Sequence, residues 1–591
     1  MFLAWHNTRM KPKLPLTHRI ANSLDEFRLQ TAKPDALIQS SLLGLLVGLL
    51  VGCVLVVFVL IIDHSLSFWL PNNIAENFED LSPASRLVAP IIGATLLAII
   101  FKLFAKGDMT VGVVNTLERL RYHQGYLKFR SFILQFIGAS IALVSGQSMG
   151  REGPAIHLGS YLGSVLGQSF GLPNNAIRTL VACGAAAAIS AAFNTPLAGV
   201  IFAMEIIMVE YTFASFIPII VAAVAATGVS RSFLGNEPIV VLTNISSISL
   251  NEVPYVILIG LLVGFASTLF TTLIKHVTKF THPLGLSIRF LIAGSATGMI
   301  AVLVPQVMGL GYDTLNAAVL GQIPMTLLLT IMIAKLVATA ISVGCGMPAG
   351  LIGPSLVIGA VGGSLMAIFL HQSMGVPLEN TSLYALIGMS AMMGACLQAP
   401  LAALTAVFEI TANHSVIWPS MLAIVVAQLV SRQVFKQPPV FDLLLQVRGL
   451  DFHEDPITQS LQRTGIAKAM SRSFSLLPIV TNSTKALQSI AGNPQWICIQ
   501  DGRTPVALIR GVDLIQYLEK EDLEDEIDLM QIPAMRLQVS QIDLRATLDK
   551  ARELFNNDTS EALCVTHWNK NAQRYVYGVL TREQFEQLYM R

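Results

Sequence analysis

Charge is scarce in this 591-residue chain. Asp, Glu, Lys and Arg supply 13% of it against 53% hydrophobic residues, and mean hydropathy is +0.62. That balance excludes a water-soluble globular protein and implies a chain that crosses a membrane many times. A net formal charge of +1 gives no sign of a nucleic-acid partner. The six cysteines (Cys53, Cys183, Cys345, Cys396, Cys498 and Cys564) lack any paired metal spacing. Most are embedded in apolar runs, so packing is the better reading. No His-Glu-x-x-His pattern occurs, which argues against an intramembrane metalloenzyme, and no cofactor is expected. Arg9, Lys11, Lys13 and Arg19 make the N-terminus basic, without the short apolar run and small-residue site of a signal peptide.

The few charges are unevenly placed. Close to half of them fall after Asp451, which marks a membrane domain followed by a soluble tail. Residues 1–34 form an N-terminal segment with an expected amphipathic helix over 15–33, ending at Pro34. The membrane domain is expected over 35–450 and the tail over 451–591. An apolar run from Ala36 to Ile62 easily spans a bilayer, and a second covers Leu87 to Phe104. Between them, His64 to Ser85 is acidic and is expected to face outside. The next loop (Lys106, Arg119, Arg121, Lys128, Arg130) is basic, which puts it and both termini on the cytoplasmic side of a cell membrane. Further apolar segments follow near 131–147, 154–170, 177–193, 197–209, 214–230, 254–275, 289–305, 325–343, 354–371, 382–397, 400–411 and 416–434. Many are too short, or too broken by Gly and Pro, to cross straight. Such helices are tolerated at membrane depth only where backbone lines a cavity or is buried in protein.

Inside this apolar sequence stands Gly150-Arg151-Glu152-Gly153-Pro154. Pro154 suits the first turn of a helix, and the glycines let backbone come close to something small. A helix N-terminus at membrane depth needs a partner, and an anion is the cheapest one. The chain supplies its own in the carboxylate of Glu152, a tethered competitor for a free anion and therefore a gate. The motif has a partner 200 residues on: Gly150, Gly153, Pro154, Gly159 and Gly163 match Gly350, Gly353, Pro354, Gly359 and Gly363. A shift of 204 aligns Pro196-Leu197-Ala198 and Glu205 with Pro400-Leu401-Ala402 and Glu409. The repeat halves lie at about 35–240 and 250–445. Interrupted helices in corresponding halves point to a substrate site at the midplane, and their positive ends favour an anion over a cation. Glu205 and Glu409 match each other, so a shared role at helix ends is expected. Lys335, alone in an apolar span, is read as satisfying nearby carbonyls, and His157 as a satisfied interior histidine.

With Ala191-Ala-Phe-Asn-Thr-Pro-Leu-Ala-Gly199, these stretches resemble the CLC family of chloride channels and chloride/proton exchangers over about residues 35–450. The resemblance implies an all-α polytopic fold of two inverted repeats of tilted, broken helices, a homodimer with a pore in each subunit, and Glu152 as the gating glutamate. It implies an anion held at Gly150, Arg151, Gly153, Leu351 and Ile352. The family's serine on the first-half helix start is Val111 here, its tyrosine near the end of the domain is Phe441, and the inner glutamate of many exchangers is Ile206. Two hydroxyl donors and one proton acceptor are thus lost. These losses favour a channel or a loosely coupled exchanger of chloride and protons, with tightly coupled antiport as the alternative.

The tail alternates short strands and amphipathic helices in two blocks, and resembles a CBS pair, a small α/β regulatory module. Such pairs hold the ribose of an adenine nucleotide with a Thr and an Asp three residues apart. Asp513 has Arg510 in place of the threonine, and Thr581 has Gln584 in place of the aspartate, so weak nucleotide binding or none is expected. A membrane sensor without transport is the reading from another class. The acidic run Glu519 to Asp528 reads as a solvated linker.

Overall fold

A computed structural model describes residues 36–105, 111–236, 240, 250–375, 380–450, 456–519, 525–557, 560–568 and 574–589. The helix expected over 15–33 lies outside the described residues, as do Lys106 and residues 520–524 of the acidic run. Two compact units form: a helical one over 40–453, without residues 169–176, and an α/β one over 454–591.

Sixteen helices of the helical unit fall into two sets of eight. The first set is α1 (Leu37–Trp69), α2 (Pro83–Phe104), α3 (Gly112–Tyr122), α4 (Phe129–Val144), α5 (Glu152–Phe170), α6 (Asn174–Phe193), α7 (Pro196–Phe202, extended by a π turn to Met208) and α8 (Phe213–Leu234). The second set repeats it: α9 (Val253–Thr281), α10 (Leu286–Leu303), α11 (Tyr312–Val319), α12 (Met325–Gly344), α13 (Ile352–Met374), α14 (Thr381–Leu397), α15 (Pro400–Thr411) and α16 (Ile417–Leu429). A short helix, α17 (Val440–Val447), closes the unit. Among the described residues, nine helices are long and apolar enough to cross a bilayer.

Packing repeats along with topology. Carbonyls of α6 and α14 press onto glycines of α5 and α13: a Cβ on Gly159 would lie 2.2 Å from the Gly184 oxygen, and one on Gly359 2.4 Å from that of Gly388. Every residue of α14 is buried, so it forms part of the core of the unit. Leu42, Leu46, Leu49 and Leu60 on α1, and Ile92, Leu96 and Ile99 on α2, are exposed. An apolar face this long is stable against lipid or another apolar surface, not against water.

Three helices escape a reading based on apolar runs. The basic stretch after α2, expected as a loop, contains α3, whose Val113, Val114, Leu117 and Leu120 form a buried stripe at helical spacing. Arg119 and Arg121 occupy its last turn, where cations suit the helix dipole. Arg121 Nη1 also donates to Asp442 Oδ1 over 2.9 Å, tying α3 to α17. The third, α11, is eight residues long and carries Asp313 in its first turn. The first span also runs past Ile62 to Trp69, so Asp63 and His64 are helical.

In the C-terminal unit, β1 (Phe474–Pro478), β2 (Val480–Asn482), β3 (Trp496–Asp501) and β4 (Thr504–Arg510) precede β5 (Glu526–Asp528), β6 (Leu537–Asp543), β7 (Ala562–Trp568) and β8 (Arg574–Thr581). One sheet has the order β1-β3-β4-β6-β7-β8 and a ribbon pairs β2 with β5. Each block repeats one plan: β1 runs parallel to β3, which pairs antiparallel with β4, and β6, β7 and β8 do the same. Residues 526–528 of the acidic run are strand, not linker, and pair with β2.

Candidate anion site at two facing helix starts

The two interrupted helices meet. Gly150 and Gly350 each donate an N–H to the other's carbonyl over 2.7 Å, forming an isolated antiparallel bridge. A reciprocal pair of this kind is what a local two-fold between the halves produces. No side chain fits at the crossing, since a Cβ on Gly153 would lie 2.7 Å from the Gly350 Cα.

Glu152, in the first turn of α5, is fully buried. Its Oε2 accepts the Gly353 N–H over 3.1 Å, and its Oε1 accepts the Tyr312 hydroxyl. The sequence places the carboxylate at its own helix start. Instead it caps the opposite one, because the glycine bridge sets the first turn of α13 against it. Tyr312 carries no motif signal in the sequence, where it follows Gly-Leu-Gly. Arg151 turns away from the bridge, its guanidinium carbon 5.6 Å from the centre of the Tyr312 ring.

Val111, Gly153, Leu351, Ile352 and Phe441 line one cavity of about 460 Å³. Gly150 and Arg151 do not line it: the N–H of Gly150 is spent on the bridge, and Arg151 faces Tyr312. At the positions expected to lack hydroxyls, Val111 and Phe441 are both buried. Arg289 and Arg448 add positive character to the lining, which His282 also borders. Arg448 lies 3.5 Å from Glu118, and Arg289 Nη2 donates to the Gly344 carbonyl over 3.4 Å. In the sequence, Arg289 and Arg448 stand as isolated cations beside apolar helix ends, a signal of this lining that no motif carries. Gln135 braces the same region: its Oε1 accepts the Gly112 N–H over 2.5 Å and its Nε2 donates to the Pro348 carbonyl over 2.7 Å.

A second cavity, of about 520 Å³, is lined by Glu205, Ile206, Arg121, Arg432, Lys436 and Phe441 among others. Glu205 accepts the N–H groups of Leu401 and Ala402 (3.3 and 2.8 Å), and Glu409 those of Leu197 and Ala198 (2.9 and 2.7 Å). Each half therefore caps a helix of the other. Lys335 Nζ donates to the carbonyls of Val307, Met308 and Gly309 at 2.9 to 3.4 Å. The Nδ1 of His157 lies 3.2 Å from both Thr116 Oγ1 and the Gly112 carbonyl, while its Nε2 has no partner among the described residues. Residues 146–150 have Gly-x-Ser-x-Gly spacing, but the Ser148 hydroxyl pairs with Thr339 Oγ1 over 3.0 Å rather than with an imidazole.

A profile of the voltage gated chloride channel family matches residues 93–432. This chain is a member of that family. CLC proteins are membrane transporters and channels for anions, not enzymes. A ClcB-like protein of Ralstonia nicotianae is 30% identical over 369 residues, 61% of this chain and 86% of the relative. The H(+)/Cl(-) exchange transporter ClcA of Vibrio cholerae is 29% identical over 425 residues, 68% and 88% of the two chains. The crystal structure of a slow cyanobacterial Cl-/H+ antiporter aligns with a TM-score of 0.62 and 25% identity, covering 70% of this CLC chain and 98% of that one. A eukaryotic CLC transporter of the same fold covers 95% of this chain at 15% identity, with a TM-score of 0.57.

In the tail of this CLC protein, Thr581 and Arg510 line a cavity of about 260 Å³ together with Glu561, Glu583 and Glu586. Asp513 is absent from that lining. The last helix begins with a capping box: the Thr581 N–H donates to Gln584 Oε1 over 3.2 Å and the Gln584 N–H to Thr581 Oγ1 over 3.3 Å. The glutamine that breaks the Thr/Asp pair therefore has a structural role.

Proposed function

We propose that this protein passes chloride through a path gated by Glu152, as a channel or as a loosely proton-coupled exchanger. The observation that carries the reading is the Glu152 carboxylate on the Gly353 N–H, where a helix start would otherwise hold a free anion. The carboxylate and chloride compete for one place. Protonation removes the charge of the side chain and with it the advantage over chloride, so the path opens. Arg289 and Arg448 around the first cavity favour anions over cations. Val111 and Phe441 offer an anion no hydroxyl, which weakens a central site, since a hydrogen bond to a charged group contributes about 1.5–3 kcal/mol. Ile206 provides no proton acceptor, which favours loose coupling.

Tight chloride/proton antiport is the second reading. It is favoured by the H(+)/Cl(-) exchange of the ClcA relatives and by Glu205, which reaches the second cavity beside Ile206. On either reading the protein works as a homodimer in a cell membrane with cytoplasmic termini, and the tail is a CBS-type regulatory pair.

Chloride efflux from proteoliposomes at pH 4.5 and 7.5 tests the gate. Wild type is expected to conduct faster at pH 4.5, and Glu152→Gln to conduct at both with little difference. A Glu152→Gln protein as pH-sensitive as wild type would falsify the gate. Reversal potentials under opposed chloride and proton gradients then separate a channel from an exchanger.

A further inference from the structure

Tyr312 has a part in none of the motifs, yet the structure points its hydroxyl at the centre of the gate. We propose that Tyr312 is the latch of the gate: its hydroxyl holds the Glu152 carboxylate shut and, once the carboxylate leaves, donates to the anion that replaces it. This rests on the reading of Glu152 as the gate.

The ring is fixed from three directions before it meets Glu152. Its backbone N–H donates to Glu76 Oε2 over 3.1 Å, on the loop between α1 and α2. The Arg151 guanidinium lies over its face. Gly311, just before it at φ 79°, leads in from a loop whose carbonyls are gathered by Lys335, and a Cβ on Gly311 would lie 3.0 Å from the Lys335 Nζ. Tyr312 is 9% exposed, so the phenol has little freedom to turn elsewhere. Its hydroxyl therefore stays in place whether or not the carboxylate is there.

Two donors from the second half, the phenol of Tyr312 and the N–H of Gly353, thus converge on the two oxygens of one carboxylate. When Glu152 swings out, both are left facing the vacated volume, and a chloride ion is the acceptor that fits there. The path that lost hydroxyls at Val111 and Phe441 regains one at Tyr312. While Glu152 is charged, the phenol bond is charge-assisted; protonation makes it a weaker neutral one and releases the latch. The charged groups around this contact are Arg151, Asp63 and Glu76, with Glu79, Asp313 and Lys335 beyond Glu76.

The test is Tyr312→Phe, which keeps the ring and the backbone bond but removes the hydroxyl. The hydroxyl helps hold the carboxylate in its closed position, so its loss loosens the gate. The midpoint of pH activation of chloride efflux is expected to move up by roughly half a unit to one unit. In a Glu152→Gln background, adding Tyr312→Phe is expected to weaken chloride binding measured by calorimetry by about three- to tenfold. An unmoved midpoint together with unchanged binding overturns the latch and leaves Tyr312 as packing. If Tyr312→Phe does not yield monodisperse protein, 3-fluorotyrosine at position 312 serves instead. It is nearly isosteric and a stronger donor, so the midpoint should move down; an unchanged midpoint or an upward one overturns the proposal. Failure of the gate itself reads differently: Glu152→Gln alone would then retain wild-type pH dependence, whatever happens at Tyr312.

Discussion

Gly150 and Gly350 hold each other by two backbone hydrogen bonds of 2.7 Å, one in each direction. The bond pair brings the helix starts of both halves to one point and packs backbone too closely there for a side chain on Gly153 or Gly350. The two glycines nevertheless face different neighbours, and alanine should separate their roles. A Cβ on Gly350 would meet the Gly153 N at 2.6 Å, a backbone atom that cannot yield, so Gly350→Ala is expected to lower the melting temperature and abolish flux. A Cβ on Gly150 would meet Glu152 Oε2 at 2.3 Å, the far end of a side chain that can move. Gly150→Ala is therefore expected to displace the gate and leave chloride efflux high at pH 7.5. Equal loss of flux in both variants would contradict this.

The reciprocal caps of Glu205 and Glu409 predict matched losses. Each glutamine variant weakens two charge-assisted bonds at a helix start, for about 1–3 kcal/mol of stability. Thermal unfolding in detergent should show similar drops for Glu205→Gln and Glu409→Gln. Reversal potentials add a second discriminant. If Glu205 also passes protons, coupling changes in Glu205→Gln and not in Glu409→Gln; capping alone leaves both unchanged.

Glu76 lies in the loop between the first two spans, and its carboxyl is pushed up to about 7. Burial is the main cause and Asp313 adds to it, against the pull of Arg151, the Tyr312 N–H and Lys335. Glu79 is pushed up as well, first by burial and then by Asp313. The ordinary value is 4.5, so between there and about 7 the folded protein binds more protons than the unfolded chain. Stability is then greatest below 4.5 and declines as the pH rises through that window. Glu76→Gln should make the decline shallower. Melting curves from pH 4.5 to 8 decide it, and an identical slope in the variant would remove Glu76 from the account.

The tail should bind adenine nucleotides weakly or not at all. Three glutamates share the cavity with Thr581, whose hydroxyl already caps a helix. Calorimetry of the full-length protein with AMP and ATP is expected to show no micromolar binding. Thr581→Ala should instead cost about 1 kcal/mol through the lost cap. Tight nucleotide binding, or no change in unfolding of the tail, would reverse this assignment.

Periodicity, composition and the repeat located most of the long helices within a few residues, because a span must be continuously apolar and its ends are marked by Gly, Pro and charge. They also paired Glu205 with Glu409 and matched Gly150 with Gly350, since a duplicated fold leaves the same residues at equivalent backbone positions. The same reading missed α3, α11 and α17, which are too short and too polar to register as apolar runs. Which helix start receives Glu152 could not be read from spacing either, because the carboxylate is as near in sequence to its own N–H groups as it is far from Gly353. Tyr312, 160 residues away, reaches Glu152 only through the meeting of the halves. What the chain encodes locally is where helices begin and end; which donors surround one carboxylate is set by long-range packing, where a glycine bridge and a few ångströms decide the partner.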